Sequence, residues 1–166
     1  MNRHAIFAIF LVMGLFALNW FNNSDPDTIA AITFTDIDQN PHSFAQYKGK
    51  PMLIIFWSTD CPSCITEIPD LIELHETYAK QGLVMIAVAL AHDTPPHIKA
   101  MRSERQIPYT ITWDKDASIA LAFGNVRVTP THFLIDPDGE IVMRKIGTLN
   151  ATRIHDMLQD MGLESS

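Results

Sequence analysis

Only two cysteines, Cys61 and Cys64, occur in the 166 residues, so a small fold stapled by several bridges is excluded. No segment repeats, none is of low complexity, and nothing marks a second domain, which leaves one compact α/β unit as the architecture to explain. Basic side chains are also scarce. Setting Arg3 aside with the N-terminal apolar segment leaves 11 basic against 19 acidic residues, a net charge of −8 for the rest of the chain. Such a surface repels phosphate, so no nucleic acid is expected as a partner, and the plain consequence of the acidity is solubility. The seven histidines are scattered, and no pair has the spacing of helical metal ligands. A built-in metal centre therefore has little support, and none is expected from the histidines.

Charge is missing altogether from residues 5–18, and Arg3 is the only acidic or basic side chain before Asp25. A basic end followed by an apolar span reads as a membrane anchor or a signal peptide. Signal peptidase needs small residues just before the cut, which Ala17-Leu18-Asn19 supplies poorly, and there is no cysteine for a lipoprotein route. Residues 5–21 would form a helix about 25 Å long, short but sufficient to cross once, with Trp20 and Phe21 at the interface. Residues 1–21 are accordingly expected to be an uncleaved anchor with Arg3 on the cytoplasmic side. Residues 22–29 are then a polar tether, and residues 30–166 one domain outside the membrane, where disulfides persist.

What is present is concentrated in Phe56-Trp57-Ser58-Thr59-Asp60-Cys61-Pro62-Ser63-Cys64. The apolar run 52–56 reads as a buried strand, which puts the cysteines at a strand-to-helix junction. Pro62 falls at the first helical position, where its missing N–H costs nothing, and Cys61 becomes the N-cap. Its sulfur can accept hydrogen bonds from free N–H groups at the positive end of the helix dipole, and both effects favour thiolate. The alternatives are a staple, two buried small hydrophobes or a metal pair. Closing so short a loop stabilises a fold by only about 2 kcal/mol, which favours redox chemistry over a staple.

Periodicity after residue 52 alternates between strand and helix. Strands are expected at 52–57, 83–91, 109–113 and 131–135, and helices at 61–80, 96–106, 117–123 and 150–161, with Pro69 expected to kink the first helix. Residues 136–139 read as a tight turn into a hairpin strand at 140–146, and residues 32–37 with 42–44 as an edge hairpin.

These motifs in register resemble the thioredoxin-like superfamily, and within it the membrane-anchored TlpA/ResA/CcmG (DsbE) branch. The likeness covers roughly residues 30–160. It rests on Phe56-Trp57 before the cysteine pair, on Glu67-Ile68-Pro69 continuing its helix, on Val128-Thr129-Pro130-Thr131 leading into Phe133-Leu134-Ile135-Asp136, and on the Asp138-Gly139 turn. The resemblance implies a thioredoxin-like fold, a central mixed β-sheet flanked by helices. It implies that Cys61 is the attacking and Cys64 the resolving cysteine, that Pro130 is a cis-proline opposite them, and that Thr129 offers its backbone to an extended substrate. Trp57 and Pro62 are expected at the substrate-binding rim, Trp57 shielding the disulfide unless it simply packs in the core. Glu67 is similar to the branch's active-site glutamate. Lying three residues past Cys64, Glu67 shares its helix face and can take its proton, unless it is simply a solvated helix glutamate. His132 falls on the same strand face as Pro130 and can approach Cys64 or be a satisfied core histidine.

Two positions depart from the resemblance. Ile55 stands where thioredoxins carry a buried acid, which leaves more of the proton handling to Glu67. Asp60, just before Cys61, places a negative charge beside the thiolate, so Cys61 should be less acidified than the motif suggests, or else Asp60 turns away and caps the helix. The resulting expectation is a periplasm-facing, inner-membrane thiol:disulfide oxidoreductase without an organic cofactor, reducing protein disulfides. A membrane thiol carrier would supply its electrons, and apocytochrome c or a copper-handling protein would be its substrate. Two alternatives come from other classes: a Sco-like copper chaperone, and a peroxiredoxin-like peroxidase built around an activated cysteine with Thr59 nearby.

Overall fold

A computed structural model describes residues 29–164; the expected anchor, 1–21, and nearly all of the tether lie outside the described residues. Ile29, at the tether's end, is buried in the core. Strands β1 (Thr33–Thr35) and β2 (Pro41–Ser43) pair antiparallel as a separate hairpin. The main sheet holds β3 (Met52–Trp57), β4 (Val84–Ala89), β5 (Thr110–Trp113), β6 (Thr131–Ile135) and β7 (Ile141–Ile146) in the order β5-β4-β3-β6-β7. The β3–β4 and β4–β5 pairs are parallel and the β3–β6 and β6–β7 pairs antiparallel, so the sheet is mixed. Helices α1 (Pro62–Tyr78), α2 (Pro95–Arg105), α3 (Ser118–Ala122) and α4 (Ala151–Asp160) complete the domain. Among the described residues no helix is long and apolar enough to cross a membrane.

Central β3 shows why its sequence is apolar throughout. Its side chains alternate between two cores. Leu53, Ile55 and Trp57 pack with Cys64, Ile68 and Leu71 of α1 and with Ile154 and Leu158 of α4, whereas Met52, Ile54 and Phe56 pack with Phe44, Phe123 and Phe133 on the other face. The expected strand 83–91 shortens to Val84–Ala89 because β3 ends at Trp57, the partner of Ala89; the N–H of Leu90 still bonds the Trp57 carbonyl at 3.1 Å. Pro69 lies inside α1 without ending it, and the left-handed φ of +116° at Gly82 closes the turn that follows. The expected helix 117–123 contracts to Ser118–Ala122. Ala117 is its N-cap and gives no side-chain bond, but the buried carboxylate of Asp114 accepts from the amides of Ile119 and Ala120 at 3.0 and 2.8 Å.

The hairpin is fastened to β5 through Asp36. Burial alone would push this carboxyl up, but hydrogen bonds from the side chains of His42 and Asn40, and from the amides of Asn40 and Asp38, bring it down to about 2. A depressed folded-state value stabilises the protein above the unfolded carboxyl's value and is lost as pH falls toward 2. Asp36→Asn should therefore lower unfolding free energy by about 1–2 kcal/mol near neutrality, with the difference from wild type shrinking between about pH 4 and pH 2. Denaturant melts of both proteins across that range check it; a difference independent of pH would reject the electrostatic account.

Candidate active site

The end of β3 delivers the chain directly into the cysteine pair. Cys61 has extended backbone (φ −93°, ψ 106°) and is the N-cap of α1, with Pro62 in the first turn. Its Sγ accepts the backbone N–H of Cys64 at 3.2 Å and lies 3.5 Å from the Ser63 hydroxyl. Cys61 and Cys64 form a disulfide with their Cα atoms 5.3 Å apart. Cys64 is 2% exposed and Cys61 8%, while Pro62 and Ser63 beside them are open to solvent. This is an anion-favouring helix end with one sulfur at the rim and the other beneath it.

Strand register brings Pro130 to the same end of the sheet. Phe56 pairs with Thr131, so the residue before Thr131 sits level with Trp57 and the start of α1. The Thr129–Pro130 peptide bond is cis. Pro130 is buried, Thr129 half-buried and the neighbouring Val128 exposed. Trp57 is buried in the α1-side core and its Nε1 has no hydrogen-bond partner among the described residues.

Beneath the cysteines lies a buried ionisable pair. Glu67 is 6% exposed and His132 0%. His132 Nε2 and Glu67 Oε1 are 2.8 Å apart, and Glu67 Oε2 accepts the Leu149 amide at 3.4 Å. Glu67 is therefore no solvated helix glutamate, and His132 pairs with the carboxylate. Register explains the meeting: His132 lies across from Ile55 on β3, facing α1, where Glu67 is one turn beyond Cys64. Glu67 also lines a cleft of about 180 Å³ between α1 and α4, with Asp70, Glu73, Leu149, Ile154 and His155. The Tyr109 phenol is pushed up first by burial and then by the charge of Glu67.

Polar residues after β3 form a second cluster. Asp60, with 75% of its side chain exposed, accepts from Ser58 Oγ at 2.6 Å and faces His92 Nε2 at 3.4 Å. The Ser58 hydrogen bond first, and His92 second, hold its carboxyl below the ordinary value. Asp60 does not cap the helix, a place that the Cys61 sulfur takes. Asp93 accepts from the Thr59 amide and hydroxyl at 2.7 and 2.9 Å. The pairings with His92 and Asp93 link residues more than thirty positions apart, and the sequence carries no signal for them. Among the described residues no group of three or more His, Cys, Asp or Glu side chains could hold a metal ion.

The AhpC/TSA family model matches residues 26–144. The chain belongs to the AhpC/TSA family. It is 29% identical over 134 residues to the thiol-disulfide oxidoreductase ResA of Geobacillus kaustophilus, covering 81% of this chain and 76% of that protein. To ResA of Bacillus anthracis it is 30% identical over 125 residues, 75% and 71% of the two chains. The thiol:disulfide interchange protein of Chlorobium tepidum TLS superposes with a TM-score of 0.72 at 26% identity, over 81% of this chain and 94% of that one. This AhpC/TSA member is a thiol-disulfide oxidoreductase of the ResA type with Cys61 and Cys64 as its C-x-x-C pair, and thioredoxin-like in fold.

Proposed function

We propose that this enzyme reduces protein disulfides outside the cytoplasm while tethered to the inner membrane by residues 1–21. The observation that carries the reading is Cys61 Sγ as the cap of α1, accepting the Cys64 amide at 3.2 Å above a resolving sulfur that is almost fully buried. In the reduced protein, Cys61 thiolate attacks a substrate disulfide and a mixed disulfide forms. Cys64 then attacks the Cys61 sulfur, its proton passing to Glu67, and the substrate leaves as a dithiol with two electrons gained. Thr129, on the cis bond to Pro130, offers its backbone to an extended substrate strand, with exposed Pro62 beside it and Trp57 in the core cluster with the cysteines. A membrane thiol carrier would restore the dithiol, and apocytochrome c or a copper-site protein would be the substrate. No organic cofactor or metal enters the cycle.

The direction of electron flow is tested by the equilibrium potential of the Cys61-Cys64 pair in glutathione and dithiothreitol buffers. A reductase should lie near thioredoxin's value of about −270 mV; a value near DsbA's, about −120 mV, would assign an oxidase instead. Thr59, which a peroxidase would turn toward its cysteine, has both its amide and its hydroxyl bonded to Asp93.

Topology makes a separate prediction. With Arg3 ahead of an uncharged span, the full-length protein should stay in the membrane fraction after an alkaline wash, at unprocessed mass, with its domain open to protease added from the outer face. A shortened soluble form would show that the span is a signal peptide.

A further inference from the structure

Ile55 has no proton to give or take, but the residue registered against it does. His132 is fully buried, and its strand parity with Leu134 turns it to the α1 side of the sheet, where its Nε2 meets Glu67 at 2.8 Å. A histidine held only for packing normally has both ring nitrogens satisfied. Here Nδ1 is buried with no hydrogen-bond partner among the described residues. One nitrogen is engaged by the carboxylate one turn beyond Cys64, and the other is an open proton site in the interior.

We propose that His132 is the positioning residue of the resolving step, fixing Glu67 against Cys64 and sharing with it the proton that Cys64 gives up. The proposal rests on the reading above in which Glu67 accepts that proton. As the Cys64 sulfur attacks the Cys61 sulfur, the S–H proton goes to the Glu67 carboxylate. The bond between Cys61 and the substrate sulfur breaks, and its electron pair leaves on the substrate thiolate, which takes a proton from solvent. A carboxylate 6% exposed is poorly solvated and needs a fixed donor to stay usable as an acceptor, which the His132 N–H supplies as a charge-assisted hydrogen bond. Joined at 2.8 Å, carboxylate and imidazole form one hydrogen-bonded unit, and a proton delivered to Glu67 is shared across it. The α1–α4 cleft that Glu67 lines offers the proton a way out to water.

Several charged or titratable groups face this unit. Asp70 and Glu73 from α1 and His155 from α4 line the same cleft, Tyr109 before β5 feels the Glu67 charge, and Lys145 on β7 is registered against His132. The acidic side chains at the cleft attract a proton outward. Lys145 is exposed and the Tyr109 phenol is pushed up, so neither supplies a second buried acceptor.

The test uses the reduced protein and an aryl disulfide whose two coloured thiolates are released one per step. The first release reports attack by Cys61 and the second reports attack by Cys64. In His132→Gln, which keeps an N–H donor but cannot titrate, the ratio of second to first rate should fall about 10-fold or more near neutrality, with a changed pH profile. Glu67→Gln should lower the ratio at least as far, and the double variant should be no slower than the slower single. If Glu67→Gln lowers the ratio and His132→Gln leaves it unchanged, the role of His132 is overturned while that of Glu67 stands. An unchanged ratio in Glu67→Gln overturns both. Losses that multiply in the double variant would mean that the two residues act separately, against the proposal. Should the variants misfold, nitrogen-15 spectra of the wild-type ring decide. The His132 ring signals should differ between oxidised and reduced protein, and identical signals in both states would overturn the proposal.

Discussion

Cys64→Ser should convert the enzyme into a trap that accumulates mixed disulfides through Cys61, whereas Cys61→Ser should lose both trapping and turnover altogether. The asymmetry follows from position. Only Cys61 combines the helix-cap environment with a place at the rim next to exposed Pro62 and Ser63, so only its thiolate meets an incoming disulfide. Cys64, 2% exposed, can reach a sulfur only when that sulfur is already on Cys61. Removing the resolving thiol therefore leaves the first step intact and the second impossible. Non-reducing gels of whole-cell extracts, followed by reduction and identification of the released partners, read the outcome. Adducts formed through Cys64 in the Cys61→Ser protein would reverse the assignment.

Turnover in Glu67→Gln should fall by about 10-fold or more with the fold preserved, in line with the usual worth of general base catalysis. Glutamine keeps the shape and one acceptor oxygen for the His132 N–H, so the buried hydrogen bond at 2.8 Å has a substitute, while the capacity to take a proton is gone. Glu67→Ala separates the structural part of the role. It strands the His132 N–H and the Leu149 amide in a buried site and should cost a further 1–3 kcal/mol of stability per unsatisfied group, to order of magnitude about the worth of a lost buried hydrogen bond. Thermal melts beside insulin-disulfide reduction distinguish the two substitutions. A Glu67→Gln enzyme with wild-type turnover at every pH would limit Glu67 to a structural partner of His132.

Much of this site is legible along the chain because its signals are local. An apolar run, a cysteine followed by proline, and a second cysteine one turn later specify strand, cap and helix within about a dozen residues, and those are the elements the structure contains. The spacing of Glu67 from Cys64 likewise follows from helical geometry alone. Membership in a thioredoxin-like fold could be read because several such local motifs recur in one order.

Burial and pairing were decided only when the chain closed. Whether Glu67 meets water or histidine depends on β6 lying antiparallel beside β3, which sets His132 across from Ile55 although 65 residues separate it from Glu67. The same closure brought Asp60 to His92, tied Thr59 to Asp93, and set the cis bond before Pro130 level with Trp57. A period of two or 3.6 residues tells each segment which of its faces is apolar, but not which neighbour will cover that face. That choice belongs to strand order and register, which arise from long-range packing of two cores on opposite sides of β3.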